Sequence, residues 1–285
     1  MSSIDETFAR LRSQQRMAFM PFVTAGDPDL SVTQRVIREL ALRGVDMIEI
    51  GFPYSDPIAD GPVIQASYTR ALAKQLHIND IFEAIAELSR EAETGSAARK
   101  SAAHVAPLPP LVAMVAYAIV FRTGSENFVR AARDAGFAGM IIPDLPADEA
   151  AELAEIAGAH GLDLIQLIAP TTTPARAGRI LESARGFLYC ISVAGTTGVR
   201  DELPPELKEQ LTWLKSQTQL PLAVGFGVSR PDQVAGLRGL ADGVIVGSAL
   251  VRQIAAISEQ RKSVDSAIAS AGELAAEMLA ECHRA

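Results

Sequence analysis

Two carboxylates eleven positions apart, Glu49 and Asp60, mark the stretch EIGFPYSDPIADGP at 49–62. Glu49 lies among Met47, Ile48 and Ile50, where a charged group is costly to bury without compensation. Asp60 lies in a segment holding Pro53, Pro57, Gly61 and Pro62, a composition suited to tight turns. Two acids so placed can face one cavity, where unlike surroundings give them unlike acid–base roles. They can equally cap a following helix or sit in solvent. The local sequence leaves both readings open.

The elements that would position them come from hydrophobic periodicity. Short β-branched runs alternate with longer Ala/Leu/Glu/Arg segments of helical spacing, the pattern of βα units and a parallel sheet. The runs are 18–24, 46–51, 111–117, 139–144, 163–170, 187–192, 221–227 and 242–248. Helices are expected at 29–43, 62–91, 125–135, 147–160, 174–184, 204–217, 230–239 and 248–260. An extra C-terminal helix is expected at 263–283, and an amphipathic N-terminal helix in MSSIDETFARLRSQQR. Eight strand–helix units in 285 residues favour an α/β fold of the closed (β/α)8 (TIM) barrel type, one domain over 1–285, rather than an open doubly wound sheet. The stretch 91–110, rich in Ala, Ser, Gly and Pro, is expected to be a flexible surface insertion.

In a barrel, function gathers where strands end. The residues there are Phe22, Thr24, Asp27, Glu49, Asp56, Asp60, Asp144, Thr171, Ser192, Gly195, Thr197, Gly198, Gly225, Gly227, Gly247 and Ser248. The four histidines, His77, His104, His160 and His283, fall in helices or in the insertion, so neither a His triad nor a His-ligated metal can be assembled from strand ends. The lysines 74, 100, 208, 215 and 262 likewise leave no amine for a Schiff base. Neither cysteine ends a strand beside a base. Carboxylates remain, with Tyr54 and Tyr189 as helpers. GFG at 225–227 and GS at 247–248 follow the last two strands, where barrels hold phosphate through backbone N–H groups. A glycine pair alone also marks an ordinary tight turn. SVAGTTGVRDELPP, after the sixth strand, reads as a lid or as a plain βα loop.

Composition excludes several partners. The net charge of −8, with basic residues scattered among acids, argues against nucleic acid and anionic membrane surfaces. The charged N-terminus lacks the apolar core of a signal peptide, and the longest uncharged stretch, PPLVAMVAYAIVF, is too short to span a bilayer. Two cysteines, Cys190 and Cys282, imply no disulfide framework, and a cytoplasmic location is expected.

Taken in order, PFVTAGDP (21–28), IEIGFPYSDPIADGPVIQ (48–65), IIPDLP (141–146), SVAGTTG (192–198), GFGVSRPDQV (225–234) and GVIVGSALV (243–251) resemble the tryptophan synthase alpha subunit family across nearly the whole chain. The block around Asp56 and Asp60 is the most specific of these; the glycine pieces recur in many phosphate-binding barrels. The resemblance implies cleavage of indole-3-glycerol phosphate to indole and glyceraldehyde 3-phosphate. It implies Glu49 and Asp60 as catalytic acids, and phosphate contacts at Gly198, Gly227, Gly247 and Ser248. Phe22, Tyr189 and Phe226 would line the indole pocket, and Thr197 would close over Asp60. Pro53, Asp56 and Pro57 would face a beta subunit in an assembly of two alpha and two beta chains. Pyridoxal phosphate would belong to that partner, leaving this chain without a cofactor. The third strand departs from the family pattern: MVAYAIVF has Ala118 where relatives carry an Asn that helps hold the Asp60 loop, and the 91–110 segment is longer than usual. A stand-alone indole-releasing lyase and a catalytically weak subunit that mainly activates a beta chain are the alternative readings.

Overall fold

The computed structural model describes residues 1–57, 60–97, 106–192, 205–225 and 227–284, with backbone alone at 95–97. An opening helix α1 (Ser3–Ser13) precedes β1 (Ala18–Thr24), α2 (Leu30–Leu42), β2 (Ile48–Gly51), α3 (Pro62–Leu72) and α4 (Ile78–Ala97). Then come β3 (Leu111–Met114), α5 (Tyr117–Thr123), α6 (Ser125–Ala135), β4 (Phe137–Ile141), a 3-10 turn at Ala147–Glu149 and α7 (Ala151–Ala159). The chain continues through β5 (Asp163–Ile168), α8 (Pro174–Ser183), β6 (Leu188–Ile191), α9 (Pro205–Gln217), β7 (Leu222–Gly225) and α10 (Pro231–Ala235). It ends with β8 (Gly243–Val246), α11 (Ser248–Ser258) and α12 (Val264–Cys282). The strands pair in sequence order, all parallel, and β8 returns to β1 to close the barrel. This is the (β/α)8 architecture expected, with the extra helix at each end.

Side chains of a strand alternate between faces, and in a closed barrel one face is the interior. The interior cluster contains Ala18, Met20 and Phe22 of β1, Val112 and Met114 of β3, Ile165 of β5, Tyr189 of β6 and Ile245 of β8. Met47, just before β2, belongs to it, so Glu49, two residues on, must also point inward. The alternate residues, among them Phe19, Ile48, Ile50, Ala113, Leu188 and Val244, pack against the helices in a second, larger cluster. Helix α1 plugs the floor with Ile4, Phe8 and Leu11, and the Phe8 ring meets that of Phe187 at 5.7 Å. A capping box at Ser2 and Asp5 fixes where α1 begins. Beneath the barrel the buried Asp46 carboxylate accepts the Phe19 N–H at 3.0 Å and faces Arg10 of α1 at 3.2 Å and His283 beyond α12 at 2.9 Å. One carboxylate thus ties both outer helices to the floor.

The segment expected as one helix over 62–91 is two. Helix α3 stops at Leu72, Gln75 takes a left-handed φ of 56°, and α4 restarts at Ile78 after Asp80 accepts the His77 N–H. The third strand ends at Met114 rather than 117, because the Asp144 side chain accepts the Tyr117 N–H at 2.7 Å and starts α5 there. Helix α4 also carries regular structure as far as Ala97, into the 91–110 stretch.

Candidate active site

Strand pairing sets Glu49 beside Phe22 of β1 and Val112 of β3 at the C-terminal end of the barrel. Its side chain is 3% exposed, and Oε2 is buried with no hydrogen-bond partner among the described residues. Burial first, and the nearby charge of Asp60 second, push this carboxyl up to about 8. Asp60 approaches the same pocket from the loop before α3. That helix begins with Gly61 at its cap and Pro62 in its first turn, so its start is fixed by backbone geometry rather than by a side-chain cap. The Gln65 side chain reaches back from α3, donating to the carbonyls of Asp60 (2.8 Å) and Pro57 (3.2 Å), which pins the loop.

Partial burial pushes Asp60 up to about 6, opposed by a hydrogen bond of 3.3 Å donated by the Tyr54 hydroxyl to Oδ2. The donor described for this carboxylate is thus a phenol. The order of the two acids stands. At neutral pH Glu49 holds a proton and Asp60 is mostly charged, an arrangement that can supply a proton donor and an electrostatic partner.

Both acids line a cavity of about 850 Å³, part of it open to solvent. Phe22 and Tyr189 form aromatic walls, each only a few per cent exposed. Each ring occupies space that a glycine on the next strand leaves empty. A Cβ on Gly51 would lie 2.3 Å from the Phe22 ring, and one on Gly225 would lie 2.1 Å from the Tyr189 hydroxyl. Gly227, Gly247 and Ser248 line the same cavity. Gly227 has a φ of +87° that suits glycine, and the first turn of α11 has no side-chain cap over its N–H groups. Such a helix start favours an anion. Ser229 and Arg252 also line the cavity and were not foreseen. The spacing of Arg252, one helical turn after Ser248, was the available signal.

Other strand-end candidates serve the scaffold. The Thr24 hydroxyl bonds that of Ser67 at 2.7 Å, Asp27 pairs with Arg70 at 2.6 and 2.9 Å, and Asp144 caps α5. In the loop assigned to a partner, Pro53 is buried, Asp56 is exposed, and the Pro57 carbonyl accepts the Asp60 N–H. Gly195, Thr197, Gly198 and Phe226 lie outside the described residues. Among the described residues no group of three or more His, Cys, Asp or Glu is arranged to hold a metal, and no helix is long and apolar enough to cross a membrane. Both thiols are buried, and burial pushes Cys282 up to about 12.

A closed barrel with paired acids and a glycine-lined helix start at the C-terminal strand ends has the make-up of a (β/α)8-barrel enzyme. The family model for the tryptophan synthase alpha chain matches residues 8–279. The tryptophan synthase alpha chain of Rhodopirellula baltica is 44% identical over 263 residues, covering 92% of this chain and 90% of that one. That of Thermoanaerobacter sp. is 39% identical, covering 96% of this chain and all of the relative. Among solved structures, tryptophan synthase subunit alpha from Legionella pneumophila superposes with a TM-score of 0.83 at 33% identity, covering 99% of this chain and 98% of that one. A chain of Mycobacterium tuberculosis tryptophan synthase gives 0.84 at 32%, covering 100% and 99%. The chain belongs to the tryptophan synthase alpha chain family and is a lyase of tryptophan biosynthesis.

Proposed function

We propose that the chain cleaves indole-3-glycerol phosphate to indole and glyceraldehyde 3-phosphate, with Glu49 as proton carrier and Asp60 as charge stabiliser. The observation that carries this reading is a pair of acids on one cavity, one pushed up to about 8 and the other to about 6. Breaking the carbon–carbon bond requires an electron sink. With no strand-end lysine placed for an imine, protonating the indole ring at C3 makes the ring its own sink. Protonated Glu49 donates that proton, and its carboxylate then takes the proton of the glycerol hydroxyl. As that O–H electron pair forms the aldehyde, the C–C bond breaks and its electrons return to the ring, restoring indole. Asp60 opposes the positive charge that develops on the ring nitrogen while C3 is protonated.

Phe22 and Tyr189 are assigned to the indole, together with Phe226. Gly227, Gly247 and Ser248, with Gly198, are assigned to the phosphate, and Thr197 to closure over Asp60. We further infer a beta-subunit partner that carries pyridoxal phosphate and meets the Pro53, Asp56 and Pro57 loop, while this chain uses no cofactor of its own. Steady-state indole release from indole-3-glycerol phosphate, with and without a beta subunit, tests the reading. Activity that rises strongly on adding the partner supports it. High activity of the chain alone would mean a stand-alone lyase, and no cleavage in either case would leave only a binding role.

A further inference from the structure

Behind the pocket wall stands a tyrosine pair with no part in the chemistry above. Tyr54, in the loop between β2 and α3, is half-buried and donates its hydroxyl to Asp60 Oδ2 at 3.3 Å. Its ring rests on that of Tyr68 of α3, centroids 5.5 Å apart and tilted by 52°. Tyr68 is itself 1% exposed, so the support is rigid. The phenol is therefore clamped between a helix and a carboxylate, and it does not line the cavity that Phe22, Glu49 and Tyr189 enclose. Burial and the charges of Asp60, Asp144 and Asp56 push the Tyr54 hydroxyl well up, so it keeps its proton and remains a donor throughout the working range.

We propose that Tyr54 is a positioning residue for the cleavage reaction, its hydroxyl holding the Asp60 carboxylate in the place and charge state the reaction uses. The inference rests on the two-acid reading of the site. A donor aimed at a carboxylate favours the charged form, and this one acts against burial, which favours the neutral form. Among the described residues, the other titratable groups around Asp60 are Glu49 from β2, Tyr68 from α3, Tyr189 from β6 and Arg252 from α11. The tyrosines stay neutral because burial pushes both far up, and Glu49 stays neutral to about 8. Across the acid limb near 6, then, the group changing charge is Asp60.

Tyr54→Phe removes the hydroxyl and leaves the ring on Tyr68. Two readouts follow. In the whole enzyme the acid limb of the kcat profile moves to higher pH by roughly half a unit to one unit, a ~3- to 10-fold gain in proton affinity at Asp60. The alkaline limb set by Glu49 stays in place, so the active window narrows while KM changes less than about two-fold. In the substrate-free protein, carbon-13 NMR of labelled aspartate, with the Asp60 signal assigned through Asp60→Asn, shows the same upward movement. An acid limb and an Asp60 signal both unmoved in Tyr54→Phe would reduce Tyr54 to packing and overturn the proposal. The carboxyl signal is read without substrate. A wild-type chain unable to cleave would therefore sink the proposed reaction, while the NMR titration would still decide whether Tyr54 controls the charge of Asp60.

Discussion

Replacing Glu49 by Gln tests the burial of that acid without any substrate. The ordinary carboxyl value of 4.5 becomes about 8 in the folded chain. At about 1.4 kcal/mol per pH unit, that is an ionisation penalty on the order of 5 kcal/mol. For a group whose folded value is raised, the associated stability is fully present below the unfolded value and is lost as pH rises through the folded one. Wild-type protein should therefore lose stability steadily from about pH 4.5 to about pH 8 and then level off. The Glu49→Gln variant keeps the shape and has no proton to lose. Urea unfolding of both proteins from pH 5 to pH 9 reads the difference, which should be smallest at pH 5 and grow in favour of the variant up to about pH 8. Asp60 adds its own slope between its ordinary 3.8 and about 6, common to both proteins, so it cancels to first order. A difference that is flat across this range would show that Glu49 ionises normally, and the proton-donor argument would fall with it.

The same variant should abolish indole release while leaving substrate affinity within a few-fold, and a normal kcat would refute the assignment. Asp60→Asn should lower kcat by roughly 100- to 1000-fold, the scale of losing one preorganised electrostatic group; a change confined to KM would argue against charge stabilisation. Gly227→Asp places a negative side chain at a φ of +87° on the cavity wall, and KM for the phosphorylated substrate should rise about 10-fold or more while indole alone still binds. Arg252→Ala should raise the same KM by roughly five-fold, worth about 1 kcal/mol for an exposed charge. An unchanged KM would remove Arg252 from the site.

Most of the barrel was legible because short β-branched apolar runs separated by helical segments repeat eight times, and closure leaves few other ways to bury them. The strand ends were legible for the same reason, which is how Glu49, Gly227, Gly247 and Ser248, all of which line the cavity, were singled out. Boundaries failed where tertiary contacts decide them. Nothing local in MVAYAIVF says that Asp144, nearly thirty residues on, will start a helix at Tyr117. Nor does continuous helical spacing across 62–91 reveal the left-handed residue at Gln75. In the site, Tyr54 was named as a helper but not tied to Asp60, because a hydroxyl six residues upstream reaches that acid only through the fold of the loop. Arg252 was passed over because a lone arginine on a helix usually faces water.

The aromatic walls resting over Gly51 and Gly225 bear on how such a pocket changes over evolutionary time. A side chain cannot be added at either glycine while the ring beside it keeps its place, since the two would collide. Gly51→Ala alone should lower stability by about 1–3 kcal/mol, and pairing it with Phe22→Leu should recover part of the loss. A side chain at either glycine is thus coupled to the size of its neighbouring ring, and a lineage can gain one there only once that ring has shrunk or moved.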